Sequence, residues 1–134
     1  MTSFPLKVVT PDGLEYDGLA EEVIVRTTSG DIGILAGHIN CVAPLGMGQA
    51  TIVIDGKHRY AACIGGMLSV ASGAVTLVPT TFEWADEIDA ARAEASYQRA
   101  QNVLHSKTAT DTDIRLAEAR LRRALVRKNV ASNR

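Results

Sequence analysis

The chain has 134 residues, 46% of them apolar and 22% charged, with a formal net charge of −1 at pH 7. That size fits one ordinary domain or a small domain with an appendage, and the composition is globular rather than disordered. No apolar run reaches the roughly 18 residues of a membrane helix, the start lacks a signal peptide's basic and apolar regions, and Cys41 and Cys63, without a secretion signal, read as reduced core thiols.

The first part of the chain reads as short strands separated by turns. Residues 6–10 run into Pro11-Asp12-Gly13, whose proline fixes φ and whose glycine accepts positive φ. A β-branched run at 23–27 ends at Ser29-Gly30, and 32–35 ends at Gly37-His38. Residues 51–54 reach Asp55-Gly56, a strong hairpin signal, and 59–64 follow up to Gly65-Gly66. Residues 68–71 stop at Ser72-Gly73, and 75–78 stop at Pro79. Strands this short and evenly spaced predict a sandwich or barrel.

Nothing in this part reads as catalytic machinery. The glycines follow hairpin spacing, and no Gly-Lys-Ser/Thr or G-x-G-x-x-G accompanies them. His38, His58 and His105 lack metal-ligand spacing, and His38 reads as a turn or interface residue. Asp12, Glu15, Asp17, Glu21 and Glu22 read as a solvated acidic edge.

A boundary falls near Asp86. All 11 glycines and all 4 prolines lie at or before residue 79, and alanine then takes over. Residues 1–86 carry 4 basic and 9 acidic side chains, net −5; residues 87–134 carry 10 and 6, net +4. The expected domains are therefore 1–86, all β, and 87–134, helical. Residues 87–106 predict one helix and 110–129 a second, with Thr110 or Asp111 as N-cap and an antiparallel reversal between them.

At about 100° per residue, Ala93, Tyr97, Ala100 and Leu104 form an apolar stripe on the first helix; Ile114, Ala117, Leu121, Ala124 and Leu125 form one on the second. Beside them run Asp89, Arg92, Ser96 and Arg99, and Arg120, Arg123 and Arg127. Both polar rows are offset in the same rotational sense. Antiparallel packing of the apolar stripes then brings both rows to one side of the hairpin. Five guanidinium groups on one surface repel, and a bound anion or acidic partner removes that cost. A solvated face, or contact with the acidic first domain, is the plainer structural alternative.

Three segments carry a resemblance: Gly30-Asp31-Ile32-Gly33-Ile34-Leu35 with Gly37-His38; Ile64-Gly65-Gly66-Met67-Leu68-Ser69-Val70; and Asp86-Glu87-Ile88-Asp89-Ala90-Ala91-Arg92-Ala93. In this order they resemble the epsilon subunit of rotary F-type ATP synthases, with Ala36 where many relatives have proline. The resemblance implies an α+β fold, a flattened β-sandwich of about ten strands followed by a two-helix hairpin. It implies a non-catalytic rotor subunit that binds the gamma subunit and the c-subunit ring, with Gly37 and His38 at the candidate ring-facing end. It further implies a hairpin that inhibits ATP hydrolysis when extended towards the alpha and beta subunits. Its motif Ile/Leu-Asp-x-x-Arg-Ala stands here as residues 88–93. By resemblance, Glu83, Ile88, Asp89 and Ala93 surround the adenine end of a bound ATP, and Arg92, Arg99, Arg123 and Arg127 meet ribose and phosphates. No resident cofactor is implied; ATP is a regulatory ligand, and its need for Mg stays open. The expected location is peripheral, on the cytoplasmic face of a bacterial plasma membrane. The alternative is a nucleic-acid-binding module using the basic hairpin, disfavoured because Tyr97 is the hairpin's one aromatic stacker.

Overall fold

A computed structural model of the chain describes residues 2–133. Met1 and Arg134, the outer ends of the two expected domains, lie outside the described residues. Ten strands come first: β1 (Phe4–Thr10), β2 (Gly13–Ala20), β3 (Glu22–Thr27), β4 (Gly30–Ile34), β5 (Cys41–Pro44), β6 (Met47–Ile54), β7 (Lys57–Ile64), β8 (Met67–Ala71), β9 (Ala74–Val78) and β10 (Thr81–Trp84). They form two five-stranded sheets, in the orders β2-β1-β9-β8-β5 and β10-β7-β6-β3-β4. The fold is thus the flattened sandwich and helical pair that the sequence implied. Three strands went unread in the local pattern, β2, β5 and β10, and each lies at a sheet edge.

Period-2 alternation builds the core. On β1, Phe4, Leu6, Val8 and Thr10 point inward while Pro5 and Lys7 face solvent. Val23 and Val25, Leu68 and Val70, and Val75 and Leu77 meet them from the other strands. Where β7 hands the chain to β8 in the other sheet, Gly65 and Gly66 take positive φ. A Cβ on Gly66 would collide with the Val78 carbonyl oxygen, so this crossover requires glycine.

A single 3-10 turn, Ala85–Glu87, leads into α1 (Ala90–Leu104). This helix is shorter at both ends than the predicted 87–106; its start is set by Asp89, whose carboxylate accepts the Arg92 N–H at 3.0 Å. The second helix, α2 (Asp111–Ala131), starts at a full capping box. Thr110 Oγ1 accepts from the Asp113 amide, and Asp113 Oδ2 accepts from the Thr110 amide, each at 3.1 Å. Ala93 and Ala100 on α1 and Ala117 and Ala124 on α2 are buried, which lets the axes approach closely. Leu125, placed by its spacing in the apolar stripe, is instead 42% exposed.

The hairpin lies on the outer face of the second sheet. Ala61 and Cys63 of β7 face the sandwich core, whereas Ala62 between them joins a separate cluster with Ala85, Ile88, Val130 and Ala131. Tyr60 and Val126 flank that cluster. Asn133 adds a hydrogen bond from Nδ2 to Gln49 Oε1 of β6 at 2.5 Å. The last turns of α2 therefore anchor the hairpin.

Candidate functional site: the cleft between the helices

Two adjoining cavities open along one side of the hairpin. The lower, of about 240 Å³, lies where α2 crosses the sheet, with Ile64, Thr81 and Glu83 on its sheet side. Arg120, Arg123 and Arg127 close its helical side. The upper, of about 620 Å³, runs towards the helix turn between Arg99 and Val103 on one helix and Leu116 and Arg120 on the other. Ser96 and Arg120 line both. Residues 96 and 99, and 120, 123 and 127, recur at the three- and four-residue steps that hold one helix face.

Four of the five guanidinium-bearing residues predicted to share a side line these cavities. Arg92 does not: it is exposed on the first turn of α1. The four differ in their partners. Arg127 Nε lies 2.7 Å from Glu83 Oε1, and its terminal nitrogen donates to Oε2 at 3.2 Å, across 44 residues of sequence. Arg99 donates to Ser96 Oγ at 3.2 Å. Arg120 and Arg123 have no carboxylate partner among the described residues. The positive charge of Arg127 is thus answered from the sheet, while that of its neighbours is not.

The remaining predicted residues sit elsewhere. Ile88 is buried beneath Val130 and Ala131, Ala93 is fully buried in the helical seam, and the Asp89 carboxylate is the cap of α1. The structure therefore gathers Glu83, Arg99, Arg123 and Arg127 at the cleft and places Ile88, Asp89, Arg92 and Ala93 outside its walls. Ile64 and Thr81 were missed. They pair with each other across β7 and β10, next but one to the Ala62–Glu83 pair, so the alternation that turns Glu83 outward turns them outward as well.

On the opposite pairing of the helices, Lys128 Nζ sits 2.6 Å from Glu94 Oε2 and 4.0 Å from the centre of the Tyr97 ring. A hydrogen bond from Gln98, then Lys128, hold the Glu94 carboxyl below its ordinary pKa.

Gly37 and His38 lie in the connection between β4 and β5. Gly37 has φ of +83°, and the His38 amide donates to the Leu35 carbonyl at 3.2 Å. Around them Leu35, Ile39 and Val42 are exposed, Ile39 by 78%. An apolar group of this kind at one end of a sandwich has the character of an interface.

Comparison with known proteins decides the family. The family description "ATP synthase, Delta/Epsilon chain, beta-sandwich domain" matches residues 3–85, and "ATP synthase, Delta/Epsilon chain, long alpha-helix domain" matches residues 86–132. The chain belongs to the ATP synthase delta/epsilon family. It is 46% identical over 133 residues to the ATP synthase epsilon chain of Bacillus velezensis, covering 99% of this chain and 100% of that one. It is 42% identical to that of Ruminococcus albus, covering the whole of both. Among solved structures, a chain of the Euglena gracilis mitochondrial ATP synthase shares the fold with a TM-score of 0.84 at 20% identity, covering 100% of this chain and 83% of that one. Like the epsilon chains it resembles, this family member is a non-catalytic subunit of its complex and not an enzyme. Whole-chain similarity to epsilon chains leaves the nucleic-acid alternative without support. Neither of the helices described is long and apolar enough to cross a membrane.

Proposed function

We propose that this chain is a rotor subunit in the central stalk of a proton-translocating bacterial ATP synthase, and that its hairpin is an ATP-sensitive brake on hydrolysis. In this reading the sandwich binds the gamma subunit and the c-subunit ring, with the apolar end around Gly37 and His38 towards the ring. The complex then holds the chain peripherally at the cytoplasmic face of the plasma membrane. The docked hairpin takes ATP, with or without Mg. The extended hairpin turns the same arginines towards an acidic surface of the alpha and beta subunits.

The observation that carries the ATP-sensing half is the cleft: arginines from both helices line two joined cavities, and Arg120 and Arg123 lack a carboxylate partner among the described residues. Crowded like charges are relieved by an anion, and a flexible polyphosphate reaches several of them at once. A ligand that needs both helices together binds the docked state and shifts the population towards it. Inhibition then rises as ATP falls. The test is hydrolysis by the reconstituted complex over a range of ATP, with wild-type chain and with Arg123→Ala. Relative to its own inhibition at the lowest ATP, the variant should stay inhibited at ATP levels that release the wild type. An identical ATP dependence in both would remove the proposed switch.

A further inference from the structure

We propose that Arg120, assisted by Ser96, is a further ligand residue of this cleft and grips the terminal phosphate of a bound nucleoside triphosphate; the inference rests on the nucleotide reading above. Among the described residues, these two alone line both cavities, so they stand at the joint between them. Arg120 lies one turn before Arg123 on the same face of α2 and has no ion-pair partner among the described residues. Ser96 already receives Arg99 at 3.2 Å, which leaves its own hydroxyl proton to donate to an anion.

The charges around the cleft fix where a polyanion rests. At the sheet end, Glu83 occupies Arg127 and repels phosphate. Towards the helix turn, Asp113 lines the upper cavity's wall and is committed to the α2 capping box, while Ser106 and Thr108 hydrogen-bond each other and carry no charge. Between these two carboxylates stand Arg99, Arg120 and Arg123, so the uncompensated positive charge is centred on the joint. A phosphate chain therefore runs away from the sheet and ends there, with its most highly charged group beside Arg120 and Ser96. The shorter chain of a diphosphate reaches this position less fully, so Arg120 discriminates between tri- and diphosphate.

Calorimetric titration of the full chain with ATP and with ADP tests this. Arg120→Ala should weaken ATP by roughly ten- to a hundredfold, the loss of a charge-assisted contact, and ADP by distinctly less. Ser96→Ala should weaken ATP by a few-fold. Arg122→Ala, exposed on the same helix and outside both cavities, should stay within about twofold of wild type. Wild-type ATP affinity in Arg120→Ala, equal losses of ATP and ADP, or an equal loss in Arg122→Ala would each overturn the assignment. If Arg99→Ala and Arg123→Ala lose ATP while Arg120→Ala keeps it, the cleft remains a nucleotide site and this assignment alone fails. If wild type takes up no ATP, the nucleotide reading falls and this inference with it.

Discussion

Val130 is the residue on which docking of the hairpin turns. Its side chain is 1% exposed and belongs to a cluster of five buried residues that joins α2 to the sheet and the interdomain turn. Val130→Ala removes two methyl groups, about 1.6 kcal/mol of transfer free energy at about 0.8 per carbon. Three of its four buried neighbours are Ala62, Ala85 and Ala131, which have no side chain to swing into the gap. A cavity cost therefore adds to the transfer loss, for about 2–3 kcal/mol in all. That loss falls on docking rather than on the sandwich, whose core lies on the other side of β7. Native-state hydrogen exchange reads it directly, because most of a helix's stability comes from the face it packs, so the amides of a freed hairpin exchange. Protection in α2 should fall by roughly 30- to 150-fold, with β1, β8 and β9 unchanged. Unchanged protection in α2, or an equal fall across those strands, would refute a separately docked hairpin.

Three other perturbations address the rest of the interface and core. The Glu83–Arg127 pair should show about 1 kcal/mol of coupling in a double-mutant cycle with Glu83→Gln and Arg127→Met; exposures of 21% and 35% keep it below a fully buried pair. Glu94 titrates below its ordinary value through Gln98 and then Lys128, so its contribution is whole above the unfolded carboxyl pKa and is lost as pH falls through the lower folded value. Helix pairing followed by the Tyr97 signal should accordingly loosen on acidification, and less so in Glu94→Gln. Burial pushes the Cys63 thiol up to about 12, so at pH 8 a thiol reagent should label partly exposed Cys41 in the native protein and reach Cys63 only after unfolding.

The sequence showed the interior of the sandwich and hid three of its four edges, for a physical reason. The seven strands visible as short runs between turns include every interior strand. Those missed are three edges: β2 carries Glu15, Asp17 and Gly18, β5 is four residues ending in Pro44, and β10 is four residues long. Charges, proline and shortness are how an edge avoids pairing with a further strand, and they are also what erases a strand's pattern. One informative signal lay in β7: Ala61-Ala62-Cys63-Ile64 is apolar without alternation, as expected of a strand covered on both faces. The arginine rows were legible because helical periodicity is local. The Glu83–Arg127 pair was not, because only docking joins residues 44 apart. Leu125 was misplaced for the same reason: the last turns of α2 bury Val126, Val130 and Ala131 against the sheet side, so the inter-helix stripe does not continue through them.

The same helix thus performs two tasks at separate places, and this sets how ligand and docking are linked. The end of α2 holds the sheet through a small patch of mostly small side chains, while its middle presents Arg120 and Arg123 to the cleft. A triphosphate in the proposed site touches α1, α2 and, at Thr81, the sheet, so it favours only the state in which all three meet. At a hundred times its Kd it adds about 2.7 kcal/mol to that state, which is close to what Val130→Ala removes. Docking in that variant should therefore depend on ligand: α2 amides unprotected alone should regain protection on saturation with ATP. By the same linkage the wild type's α2 protection should also rise, by about a hundredfold where undocking controls exchange. If calorimetry detects ATP bound to the variant while its α2 amides stay unprotected, the nucleotide does not distinguish docked from released helices, and the cleft cannot act as a switch.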